Sequence, residues 1–401
     1  MDVFMKPWLR TAFSRPENTK SSTHTSPLIA LQLANAARWS SRDYSGLARE
    51  GYQRNAVAYR CVRMIAEAAA SVAFCTRRNG ECVQQDPVQT LLDNPNPNHS
   101  RAELMESLYG YLQLSGNGYL EVVCVDDVPK ALFTLRPDRM SVRTDNRGCP
   151  LSWEYEVGGR ARCFITDTLT GRSKLHHMRL FNPVDDIYGF SPLEAAAQAV
   201  DVHNAGGVWT KALLDNSARP SGALIYNSAG KNGERLSDEQ FARLKSELET
   251  NHAGAQAAGR PLLLEGGLDW KPMSMSPHDM DFINARREAA REIALAFGVP
   301  PMLLGIPGDN TYANYKEANL AFWRQTILPL VQKTADSIGT WLGLWFGEDL
   351  SLHVELDKIP ALSSERALIW NRLKDVDFLS DDEKRDMVGI AKHMPDERGA
   401  K

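Results

Sequence analysis

The chain has 401 residues, 43% hydrophobic and 24% charged, and its 46 basic and 50 acidic side chains leave a formal net charge of −4. That composition excludes a wholly disordered chain, a collagen and a plain coiled coil, and the length fits two or three domains of ~100–200 residues. It also speaks against tight, static binding of nucleic acid, which draws on a basic excess.

No apolar run reaches the ~18–20 residues that cross a bilayer, and the opening residues have no apolar stretch of the kind a secretory signal needs, so neither is expected. Cys61, Cys75, Cys82, Cys124, Cys149 and Cys163 all fall in the first half of the chain, without a C-x-x-C pair. The pattern argues against a zinc site or a disulfide framework and fits a reducing cytoplasm.

In chain order, residues 1–47 are polar and weakly structured in propensity (Ser21, Ser22, Thr23, Thr25, Ser26), which predicts a mobile arm. Val57, Cys61, Met64, Ile65, Ala68 and Val72 recur at helical spacing over 55–74. The loop 94–98 alternates Asn with Pro95 and Pro97, and Ser100 with Glu103 then reads as a capping box. Gly116 and Gly118 turn the chain into short strands at 119–125, 132–135, 141–143, 152–157 and 162–165, so 48–185 is an α+β body.

The second half changes character. Ser191, Pro192 and Glu194 open a helix rich in small residues, including Ala196, Ala199, Gly206 and Gly207. Two glycines inside a helix cost ~1 kcal/mol each relative to Ala, which predicts tight packing against a neighbour. A compact insert follows: a strand at 223–226, a capping box at Ser237 and Gln240, and strands at 261–264 and 268–273. Ser276 and Pro277 start a further helix that stops at Gly298, before Pro300 and Pro301. A Gly/Pro loop leads into a long helix over 312–344, where Pro329 predicts a kink, and two short charged helices close the chain.

Enzyme motifs are weak. Gly230-Lys231-Asn232 lacks the upstream Gly and the hydroxyl of a phosphate loop, and Gly116-Asn117-Gly118 lacks the third Gly of a dinucleotide turn. Ser191, in Gly-Phe-Ser-Pro-Leu, reads as a helix cap rather than a nucleophile. His176 and His177 have only Asp185 and Asp186 nearby, a poor metal set, and Asp279 and Asp281 read as first-turn acids. No catalytic residue, metal or cofactor is expected.

The order of these elements resembles the portal proteins of long-tailed bacteriophages and of the related gene transfer agents, over roughly 48–356. The stretches that carry the resemblance are GFSP at 189–192, ARPSG at 218–222, GRPLLLEGG at 259–267, DF at 281–282, AREIA at 290–294, FGVPP at 297–301, NTY at 310–312 and NLAF at 319–322.

The resemblance implies an α+β portal fold: arm 1–47, wing 48–190, stem helices 191–219 and 278–298, clip 220–277, tunnel loop 299–311, kinked wing helix and strand 312–356, and a short helical crown 357–401. It implies a dodecameric ring in the virion, at a unique capsid vertex within the major capsid protein, assembled in the bacterial cytoplasm. Double-stranded DNA would pass through the ring, which would dock the large terminase and a head–tail adaptor and touch no membrane.

On that reading Gly305, Pro307, Gly308, Asp309, Asn310 and Thr311 face passing DNA, and Lys211, Arg219, Arg286 and Arg287 are candidate lumen cations. Ala196, Ala199, Gly206 and Gly207 pack the stem, while Glu239, Arg243, Glu247 and Trp270 meet partners. Two alternatives stand beside it: a ring component of a tail or baseplate, and a hydrolase centred on His177 and Asp185.

Overall fold

The computed structural model describes residues 41–79, 81–83, 85–145, 148–167, 169–215, 222–226, 268–272, 281–306, 312–347, 349–374 and 376–388, with a few positions between 237 and 246. Helix α1 (Tyr44–Leu47) runs into a π-type turn (Ala48–Gln53), and Leu47 is buried in the core. The expected arm therefore ends before Tyr44. Gly51 is required where it stands, because a Cβ there would lie 2.6 Å from Leu193.

Helix α2 (Ala56–Ser71) buries the face made by Ala58, Cys61, Val62, Ile65, Ala66 and Ala69. It lies against α4 (Arg101–Ser115), which is capped by the expected Ser100–Glu103 box and stopped by Gly116 in the left-handed region (φ 73°). Between them come β1 (Phe74–Arg78), β2 (Glu81–Cys82) and the short α3 (Pro87–Asp93), capped by Asp86. Cys75 and Cys82 come together diagonally at the β1–β2 hairpin, Cys82 being opposite Arg77, and form a disulfide. This corrects the expectation of cysteines without disulfides: the seven-residue spacing becomes a close approach only once the hairpin folds.

Two antiparallel sheets complete the body. The order β4-β3-β8 joins β3 (Asn117–Val125), β4 (Val128–Leu135) and β8 (Leu175–Arg179). The order β5-β6-β7 joins β5 (Met140–Thr144), β6 (Pro150–Val157) and β7 (Arg160–Ile165). Alternation along β6 turns Trp153 and Tyr155 inward onto Tyr119, Phe164 and Met140, forming a second, smaller core. Arg162 locks the two sheets with a bidentate grip on Glu121 at 2.8 and 2.9 Å.

The rest of the chain runs through α5 (Pro192–Ala195), α6 (Ala197–Asp215), β9 (Gly222–Tyr226), β10 (Leu268–Pro272) and α7 (Phe282–Ala296). It continues through α8 (Tyr312–Phe322), α9 (Leu328–Phe346), β11 (Leu350–Val354), α10 (Ser363–Lys374) and α11 (Asp381–Val388). Strand β11 returns to pair with β1, giving the order β11-β1-β2. Helix α9 supplies Val331, Ala335, Ile338 and Leu342 to the main core.

Pro329 lies in the first turn of α9, and the helix ahead of it widens into a π-type turn (Trp323–Ile327). The backbone bond that Pro329 cannot make to Gln325 is thus absorbed by a change of helical pitch. Among the described residues no helix is long and apolar enough to cross a membrane. The expected strand at 261–264 and the helix start at Ser276 lie outside the described residues.

Candidate functional site

The site named by the sequence is the hairpin of α6 and α7, with the turn that follows it. Ser191 caps the entry, its hydroxyl accepting from the Glu194 backbone N–H at 2.9 Å, and Pro192 occupies the first turn. Its role is that of a cap. Leu193, Ala196, Ala197, Ala199 and Val200 are buried in the subunit's own core. Ala196 and Ala199 share that core with Ala289 and Ile293 of α7, so their small side chains serve packing within one chain. Small side chains on a helix promise a close neighbour without saying which.

One turn further on, the hairpin is pinned to the body by a network that sequence reasoning missed. Asn55, 1% exposed, caps α2 by accepting from the N–H groups of Val57 and Ala58, both at 3.0 Å. Its amide nitrogen then reaches Asn204 Oδ1 at 3.0 Å and His203 Nδ1 at 3.1 Å. Asn204 in turn donates to the Glu50 carbonyl at 2.9 Å. Arg286 of α7 stands 3.3 Å from the far ring nitrogen of His203. Burial and that guanidinium charge lower the His203 pKa. A polar residue before a helical run signals a cap; the second role of its amide depends on a helix about 150 residues away.

The hairpin also presents apolar residues outward, Val208 past this joint and Leu295 at the body end of α7. Val208 on α6 is 70% exposed and Leu295 on α7 79%. A Cβ on Gly206 would lie 3.9 Å from the Arg286 Cβ, and one on Gly207 4.0 Å from the Arg286 guanidinium, which is ordinary contact. Within one subunit neither glycine is sterically required. Lys211, Arg286 and Arg287 are exposed on the hairpin; Arg219 lies outside the described residues.

Helix α7 ends at Gly298 (φ 65°), whose carbonyl accepts the Thr326 hydroxyl at 2.6 Å. The following turn is less open than expected. Val299 is buried, residues Pro301–Leu304 form a 3-10 turn, and Gly305 (φ 72°) terminates it. Pro307, Gly308, Asp309, Asn310 and Thr311 lie outside the described residues.

In the insert, Ser237 and Gln240 form the expected reciprocal cap at 3.0 and 3.3 Å. Glu239 and Arg243 are helical and exposed, while Glu247 lies outside the described residues. Trp270 sits on β10 opposite Leu224 of β9.

His177 and Asp185 border one cleft of about 440 Å³ but serve separate structural tasks. Asn117 Oδ1 accepts from the Gly189 backbone N–H at 2.8 Å, so it also accepts from His177 Nε2 at 2.9 Å. The His177 ring stacks on Tyr119 (4.6 Å, 10° between planes) with Trp153 edge-on, and burial pushes its pKa down to about 3. Its neighbour His176 bonds Ser337 at 2.9 Å and stacks on Trp341, and burial lowers its pKa to about 4. Asp185 caps a turn, taking the N–H groups of Ile187 and Tyr188 at 2.7 and 2.9 Å. His177 is spent on Asn117 and the aromatic stack and Asp185 on two backbone donors, so the two do not form a His–carboxylate pair and lend the hydrolase alternative no support.

A family model described as phage portal protein matches residues 56–389. The chain belongs to the phage portal protein family. Two solved structures each contain a chain 49% identical to it, covering 90% of this chain and 97% of the other. One is the virion of a native gene transfer agent (GTA) particle, with a TM-score of 0.67. The other is the neck of a native GTA particle computed with C12 symmetry, with a TM-score of 0.66. The portal protein of Enterobacteria phage HK97 is 26% identical over 298 residues, 71% of this chain and 66% of that one.

Proposed function

We propose that twelve copies of this portal-family chain close into a ring at one vertex of a capsid and form the conduit for double-stranded DNA. The reading rests on one observation above the rest: the 49%-identical chain whose GTA neck was computed with C12 symmetry. A cyclic ring is built from heterologous contacts, in which each copy offers two different faces. The apolar side chains exposed on the α6–α7 hairpin, Val208 and Leu295, suit such a contact.

On this reading 48–190 is the wing, 191–219 and 278–298 the stem, 220–277 the clip, 299–311 the tunnel loop and 357–401 the crown. The slightly acidic chain suits a wall along which DNA slides, since fixed phosphate contacts act as brakes. Lys211, Arg219, Arg286 and Arg287 then face the lumen, and Pro307 to Thr311 brush the passing duplex. Glu239, Arg243, Glu247 and Trp270 meet the large terminase during filling and a head–tail adaptor afterwards. The ring is structural, and ATP hydrolysis belongs to the separate motor.

Electron microscopy of the purified chain tests this: annular particles with a central hole are expected, and solitary compact particles overturn it. Capture of the large terminase by the assembled ring separates a portal from a tail ring. Deleting residues 305–310 should leave rings intact and impair DNA retention; loss of assembly would make that loop architectural.

A further inference from the structure

The last two described helices carry two surfaces of opposite charge. Helix α10 is tied down at its start, where Glu365 meets Arg324 at 3.0 Å and Arg366 reaches the Val388 carbonyl at 2.6 Å. Its later turns project, and none of its twelve residues is buried. Leu368 is 59% exposed; Arg372, one turn on along the same face, and Lys374 are exposed as well. A helix of ~12 residues is marginal in water without a packed face.

The second surface follows at once. Phe378 is 87% exposed, and Asp377, Asp381 and Asp382 beside it are exposed too. Glu383 is committed to the Ser380 cap at 2.8 Å, and Asp382 faces Arg385 at 4.0 Å. One patch is apolar and basic, the other apolar and acidic, and both sit on the same chain.

We infer that α10 of one copy docks on the 377–382 segment of the next, with Leu368 against Phe378 and Arg372 and Lys374 against the aspartates. The proposal rests on the ring reading above and deepens it by naming a contact. Opposite charges at the two faces set the register of successive copies and disfavour a face meeting its own kind.

A charge-swap pair tests it. The first variant carries Arg372→Glu and Lys374→Glu; the second carries Asp381→Lys and Asp382→Lys. Each alone places like charges at the contact and should yield about ten-fold fewer rings than the unaltered chain at equal concentration. Mixed one to one, each acidic α10 meets a basic segment and each unaltered α10 an unaltered one, so rings should return with the two variants alternating. Circular dichroism checks that each variant is folded.

Should the second variant fold poorly, a bismaleimide cross-link from Leu368→Cys on one copy to Phe378→Cys on another, with Cys149 and Cys163 replaced by Ser, reads the same contact. If the unaltered chain forms rings but mixing restores none, or the cross-link is missing, this docking is overturned. Restored products that stop at dimers overturn it as well. Absence of rings from the unaltered chain instead overturns the ring reading, and this contact with it.

Discussion

The body and the α6–α7 hairpin use the same kinds of side chain to opposite ends. In the body Leu108, Leu112, Ile338 and Leu342 are fully buried among α2, α4 and α9. On the hairpin Val208 and Leu295 stand 70% and 79% exposed. Both regions bury apolar area within one chain and both expose some, the body at Ile165 (70%) and Phe181 (81%); on the proposed ring reading, Val208 and Leu295 of the hairpin meet another copy. Stability and assembly should therefore respond to different substitutions.

The largest effect should come from the body. Leu108→Ala should destabilise the chain by about 3 kcal/mol in urea unfolding, through lost transfer energy and a cavity. Val208→Ser should leave the unfolding of the single chain within about 0.5 kcal/mol while lowering ring yield. Equal costs for the two would erase the distinction between the regions.

Next comes the joint that holds hairpin to body. Asn55→Ala removes a cap and takes one of two partners from each of His203 and Asn204, so about 2 kcal/mol should be lost in the same measurement. A loss confined to a few tenths would make that joint ornamental.

Acid should act on the body through its two histidines. Their pKa values, about 4 for His176 and about 3 for His177, lie below the ~6.5 of an unfolded histidine. As pH falls below ~6.5 the unfolded chain takes up protons that the folded chain refuses, so stability declines until each folded value is passed. His177→Gln should flatten the dependence of the urea midpoint on pH between 6.5 and 4 in the range where only histidines contribute, above the carboxylates (~4). An unchanged slope would mean that His177 is not held neutral.

The smallest effect, and the sharpest for the hairpin, concerns its glycines. Since a Cβ fits beside Arg286, Gly206→Ala should stabilise the single chain by about 0.5–1 kcal/mol. Leu at both 206 and 207 should instead crowd the contact between copies and hinder ring closure. Normal rings from the double Leu variant would assign the glycines another purpose.

What was legible in the sequence was mostly local. The caps at Ser100, Ser191 and Ser237 each rest on residues within one turn, so their geometry follows from spacing alone. Five strands of the body, at 119–125, 132–135, 141–143, 152–157 and 162–165, and the interruption at Pro329 were readable for the same reason, whereas β1 and β2 were not. Direction was not. Nothing near Ala196 or Ala199 distinguishes a face for the core from a face for a neighbour, and nothing near Asn55 announces Asn204. The Cys75–Cys82 pair needed a hairpin that sets Cys82 opposite Arg77, diagonal to Cys75. His177 looked available because its stacking partners, Tyr119 and Trp153, come from two other strands.

Native mass spectrometry of the purified chain addresses the central claim most directly. The account predicts a dominant species of twelve subunits, in line with the C12 symmetry of the GTA neck. A chain that stays monomeric or stops at dimers at every concentration and salt condition that keeps it folded would contradict it.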